Sequence, residues 1–136
     1  IAHDLDADFL ERADNEVTAA SWYGAKMRPC PVDRRLSGAR QILTLGERSI
    51  TALHIPGHSP GSLAFWVESD GQTVLFAQDV HGPLDARLLS YRADYLDSLR
   101  RMLELEPDIL CEGHYGVFRG RANVADFQRS FLETAE

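Results

Sequence analysis

The chain has 136 residues, 44% hydrophobic and 26% charged, enough for one domain with a sizeable core and too apolar for disorder. Its formal charge of -7 with histidines neutral disfavours nucleic acid and other polyanions, whose binding relies on clustered Lys and Arg, and no apolar run approaches the ~20 residues that span a membrane. Cys30 and Cys111 are too few for a disulfide framework and too far apart for a zinc knuckle, so both read as free thiols of a cytoplasmic protein.

Residues 7–23 have helical character, with Asp6 as the expected N-cap, Phe9, Leu10, Val17, Ala20 and Trp22 as apolar contacts, and Asp14-Asn15 as a candidate break into two pieces. Residues 24–38 read as an irregular connection, because Pro29 and Pro31 cannot continue a helix. From residue 41 the pattern becomes that of strands, at 41–45, 49–55, 62–68 and 73–77. Asp70-Gly71 predicts a hairpin between the last two, since both positions tolerate positive φ. The run Leu63-Ala64-Phe65-Trp66-Val67 hardly alternates, as expected of an inner strand covered on both faces. The segment 79–92 reads as a loop beside a pocket. A helix capped by Asp94 follows, with Leu96, Leu99, Met102 and Leu103 on its apolar face, and Pro107 ends it. A short strand at 109–111 and a last helix from about residue 123 complete the chain, the latter with Val124, Phe127 and Phe131 on one face. No linker or repeat divides it, so residues 1–136 form one domain or part of one.

Three sites stand where a strand gives way to a punctuated turn. Pro56-Gly57-His58-Ser59-Pro60-Gly61-Ser62 places His58 between two Pro-Gly-type breaks, where restricted φ and glycine freedom make a tight, rigid loop. Asp79 follows the run 73–77, and His114 follows Ile109-Leu110-Cys111 within Glu112-Gly113-His114-Tyr115-Gly116. Each strand end delivers one residue that can ligate a metal. His54, four residues before His58 and inside a strand, reads as a hydrogen-bonded core or supporting histidine, and His3 as a structural one.

This order of motifs resembles the C-terminal half of metallo-β-lactamase-fold hydrolases, closely over residues 40–136 and more loosely before. The resemblance implies an α/β chain of the α+β type, one half of a four-layer αββα sandwich, with His58, Asp79 and His114 as metal ligands and Asp79 and His114 at the reacting centre. It implies zinc, two ions per complete site, with iron or manganese compatible with the same nitrogen and oxygen donors. Asp79 would be shared between two ions, His58 would ligate the first and His114 the second. The family's His-x-His-x-Asp-His signature, which supplies the remaining ligands, is absent from this chain. The chain therefore reads as starting partway through a domain. Three ligands over two ions close neither sphere, so intact binuclear binding is not expected of this segment alone. A lone half would also leave an apolar sheet face in water, at ~25 cal/mol per Å². A missing N-terminal half, a second chain or a homo-oligomer is expected to cover it.

The family has Gly where this chain has Gln78, so the turn is less tight or offers an amide to the site. His81 and Tyr115 are adjacent candidates for supporting a ligand or facing a small-molecule substrate. The activity implied for the complete protein is metal-dependent hydrolysis of an ester, thioester, lactone or related bond by a metal-bound hydroxide. The alternatives are an iron-dependent oxygen- or sulfur-handling redox protein on the same fold, and a non-catalytic fragment or pseudoenzyme.

Overall fold

The computed structural model of the chain describes residues 1–135. β1 (Ala2–His3) runs straight into α1 (Asp4–Glu11) and pairs in parallel with β2 (Arg35–Leu36). The helical stretch expected over residues 7–23 is interrupted around Asp14-Asn15 and is shorter than expected: α1 stops at Glu11, and only a 3-10 turn at Ala20–Tyr23 follows. Asp14 is the physical reason, because its Oδ1 accepts the N–H groups of Glu16 and Val17 at 3.2 and 3.1 Å, a local arrangement that competes with helical pairing. The cap differs as well. His3 Nδ1 accepts the Leu5 N–H at 3.3 Å, while Asp6 lies within the helix and bonds elsewhere.

The main sheet contains β3 (Arg40–Leu45), β4 (Arg48–His54), β5 (Leu63–Ser69), β6 (Gln72–Ala77), β7 (Ile109–Glu112) and β8 (Gly116–Arg119), in that spatial order. All neighbours are antiparallel except β6 and β7. Asp70 and Gly71, at φ 52° and 73°, make the tight hairpin between β5 and β6. Parallel strands need a crossover, and α2 (Arg92–Glu104) provides it between β6 and β7. β8, too short to leave a pattern in sequence, is held by four pairings with β7 and leads into α3 (Arg121–Ala135).

α2 and α3 cover one face of the sheet. Leu99 and Met102 of α2 and Val124 of α3 pack on Ala64, Leu75, Ala77 and Leu110. The buried stripe of α2 is Tyr95, Ser98, Leu99 and Met102, a spacing of three and four, and the helix starts at Arg92 with Asp94 in its first turn rather than as its cap. On the opposite face Leu36, Leu43, Ala52 and Leu63 form a smaller cluster under β2. Beyond that cluster, Phe65, Phe76, Cys111 and Val117 follow one another across four strands by register. There Phe76 is 48% exposed and Val117 56% exposed. No helix among the described residues is long and apolar enough to cross a membrane.

Candidate metal centre

Strand direction builds the site. β5 is antiparallel to both β4 and β6, and β7 is parallel to β6, so β4, β6 and β7 all end at one edge of the sheet. The segments leaving that edge carry His58, Asp79 and His114. Asp79 lies between the two imidazoles, its Oδ2 3.1 Å from His58 Nε2 and its Oδ1 3.1 Å from His114 Nε2.

The loop bearing His58 is fastened from three sides. Asp6 of α1 accepts the Ser59 hydroxyl and, at 2.8 Å, the Gly61 N–H. Ser98 of α2 donates to the Pro56 carbonyl at 2.7 Å, and Ser90 donates to the carbonyl of His58 itself. Gly57 is required because a Cβ there, at φ +134°, would lie 2.2 Å from the Tyr95 backbone. Gly113, before His114, lets the chain pass close to Asp79, since a Cβ would lie 2.9 Å from Oδ1.

His58 Nδ1 donates to the Pro83 carbonyl at 2.9 Å, which leaves Nε2 with its lone pair toward the Asp79 carboxylate when the ring is neutral. Two electron-rich atoms at that distance repel unless a proton or a cation lies between them. Ligand atoms sharing a tetrahedral zinc at ~2.0–2.2 Å stand about 3.3 Å apart, close to both observed separations. The residues present therefore fit a divalent cation. Burial alone would lower the His58 pKa, but the bonds to Asp79 and the Pro83 carbonyl outweigh it and leave the pKa raised. Asp79 behaves conversely: burial pushes its pKa up, and His58, with His114 and His81 nearby, leaves it lowered.

A cavity of about 690 Å³ opens beside this group. Phe9, Leu10, Val17 and Trp22 form an apolar wall, and His58, Asp79, His81 and His114 line its polar end. Gln78 also reaches it, although its Oε1 accepts the Leu63 N–H at 3.1 Å and so serves the start of β5. His81 Nδ1 donates to Glu112 Oε1 at 2.7 Å, and its ring meets His114 edge-on with centroids 4.9 Å apart. Tyr115 is exposed and stacks edge-on with His81 outside the cavity lining.

His54 is not at the centre. Its Nε2 donates to the Pro60 carbonyl at 2.8 Å, and its ring stacks on His3 with centroids 4.0 Å apart. His3 is buried, with Nε2 unpartnered, and burial followed by repulsion from His54 lowers its pKa.

No family model matches the chain. It is 32% identical over 117 residues to the acyl-coenzyme A thioesterase MBLAC2 of Gallus gallus, covering 78% of this chain and 42% of that protein. With the Homo sapiens MBLAC2 it shares 27% identity over 139 residues, covering 85% of this chain and 48% of that one. The chain thus spans about half the length of the curated relatives it matches. Among solved structures, the BLEG-1 B3 metallo-β-lactamase superposes at TM-score 0.77 with 26% identity, over 96% of this chain and 63% of that chain. A metallo-β-lactamase from Cronobacter sakazakii superposes at 0.74 with 21% identity, over 98% and 60%.

The chain has the metallo-β-lactamase fold. In this metallo-β-lactamase-fold chain, the first forty residues add the apolar wall of the cavity. Two participants were not anticipated from sequence. Asp6 was expected only as a helix cap, and its hold on the His58 loop left no local signal because its partners lie 53 and 55 residues away. Glu112 had one: an acid at the end of the apolar run Ile109-Leu110-Cys111, next to the Gly-His turn. Its carboxylate is fully buried, with Oε2 accepting the N–H groups of His114 and Tyr115. Burial would raise its pKa, but His81 and those N–H groups leave it lowered.

Proposed function

We propose that this chain supplies His58, Asp79 and His114 to the metal centre of a hydrolase that cleaves thioesters or related acyl bonds, with zinc as the metal. The observation that supports this most directly is the Asp79 carboxylate with one imidazole nitrogen 3.1 Å from each of its oxygens. Asp79, His58 and His114 are the residues that would hold a divalent cation there. The similarity to acyl-coenzyme A thioesterases favours thioesters among the substrates this fold serves. The donors that complete the centre come, in this proposal, from a segment outside residues 1–136 or from another chain.

A divalent cation held there would supply Lewis acidity, polarising the acyl carbonyl and bringing the pKa of a coordinated water toward neutrality. The protein's own contributions are positional. The Pro83 carbonyl keeps His58 Nδ1 protonated and so keeps Nε2 free to coordinate. Asp79 adds negative charge that offsets the cations. Phe9, Leu10 and Trp22 give an acyl group an apolar surface and keep water from it.

Calorimetric titration with Zn2+ of the chain within the polypeptide that completes the centre tests the first step. Saturable uptake is expected, weakened at least about tenfold by His58→Ala or His114→Ala. Equal uptake by the native chain and both variants would remove these residues from the centre. Hydrolysis of an acyl-coenzyme A by the polypeptide that completes the centre is expected to be abolished by Asp79→Ala.

A further inference from the structure

We propose that Glu112 is the positioning residue of this centre: one buried carboxylate orients His114 through the backbone of its turn and fixes the tautomer of His81, leaving His81 Nε2 as a further nitrogen donor facing the cavity. The proposal rests on the metal-centre reading for what the site holds, but its geometry stands apart from it. Glu112 ends β7, and its side chain has no exposure to solvent. Oε2 accepts the His114 N–H at 2.7 Å and the Tyr115 N–H at 2.8 Å, so the two peptide units that carry and follow His114 converge on one oxygen. Oε1 accepts from His81 Nδ1 at 2.7 Å. A carboxylate buried with three donors around it is satisfied as an anion, and both of its oxygens are occupied.

Asp79, His81 and Glu112 could also be read as an ion-binding trio, since one ligand atom of each lies within 4.8 Å of the others. The 2.7 Å separation decides against Glu112 as a ligand. Two atoms sharing a tetrahedral zinc at ~2.0–2.1 Å would be about 3.3 Å apart, whereas 2.7 Å is the length of a charge-assisted hydrogen bond. Glu112 is therefore a brace. With His81 Nδ1–H committed to it, the lone pair of the ring is on Nε2, the one ring nitrogen left for the cavity that His81 lines with Asp79 and His114.

Two variants separate this from a merely structural role. Glu112→Gln is isosteric and keeps an oxygen for the two N–H groups, but presents amide hydrogens to His81. Long-range proton–nitrogen spectra of the metal-free chain are then expected to move His81 from the Nδ1–H to the Nε2–H tautomer while the chain stays folded. His81→Phe removes both ring nitrogens, and with them the bond to Glu112 Oε1, while leaving Glu112 Oε2 to hold the His114 turn. Zn2+ affinity is expected to fall about 10- to 100-fold in Glu112→Gln and about tenfold in His81→Phe. A His81 tautomer identical in the native and Glu112→Gln chains overturns the proposal, as does a native-like Zn2+ affinity in both variants. If the tautomer moves but the polypeptide that completes the centre takes up no Zn2+, the brace stands and the metal-centre reading fails.

Discussion

At the scale of single residues, the centre depends on atoms that are absent as much as on those that are present. Gly113 is not in the left-handed region, so conformational freedom does not explain it; space does. A Cβ there would press on Asp79 Oδ1 at 2.9 Å, the oxygen that faces His114 Nε2, and would come no nearer than 3.7 Å to the backbone carbon of Gln78. The carboxylate can turn away at little cost. Gly113→Ala is therefore expected to leave the unfolding midpoint nearly unchanged while weakening Zn2+ binding about tenfold or more, read by titration and thermal melting on the same sample. Gly57 differs, because the obstacle there is the Tyr95 backbone, which cannot rotate aside.

At the scale of elements, Asp108 joins three of them. Its Oδ2 accepts the N–H and hydroxyl of Thr73 in β6 at 2.8 and 2.9 Å, and its Oδ1 accepts from Arg121 at the start of α3 at 2.8 Å. It also precedes β7. These bonds, led by the Thr73 N–H, hold its pKa down at about 2. A folded-state pKa below the unfolded value contributes stability that is fully present above about pH 4 and is lost as pH falls through 2. Asp85, held at about 2 chiefly by Arg87, acts in the same window. The urea midpoint is expected to fall as pH is lowered from about 5 to 2, less steeply in Asp108→Asn than in the native chain. An equal slope in both would show that Asp108 is not the linked group.

At the scale of the whole molecule, the two faces of the sheet differ. α2 and α3 close one, whereas Phe76 and Val117 stand open on the other beyond the small cluster under Leu36. A two-stranded sheet such as β1 with β2 is too small to be stable alone, and here it leans on α1 and that cluster. Phe76→Ser is expected to reduce binding of an apolar dye while changing stability by no more than about 1 kcal/mol, because its side chain is already half in water. Undiminished dye binding would place the open apolar surface elsewhere.

Local chemistry by itself determined where the strands of the main sheet lie up to residue 77, the hairpin at Asp70-Gly71 and the rigid loop around His58. Proline, glycine and alternating apolar residues act through their immediate neighbours, so these features are legible along the chain. The placement of His58, Asp79 and His114 at strand ends was legible for the same reason. Their meeting was expected only through the family resemblance, because it follows from β4, β6 and β7 running in one direction. Only the tertiary structure decided that Asp6 ties down a loop more than fifty residues away, that His54 stacks on His3, and that Glu112 reaches His81 across 31 positions. Each of those outcomes is a polar group finding its partner once burial removes water. Which partner is within reach depends on how the layers pack, not on the order of residues nearby.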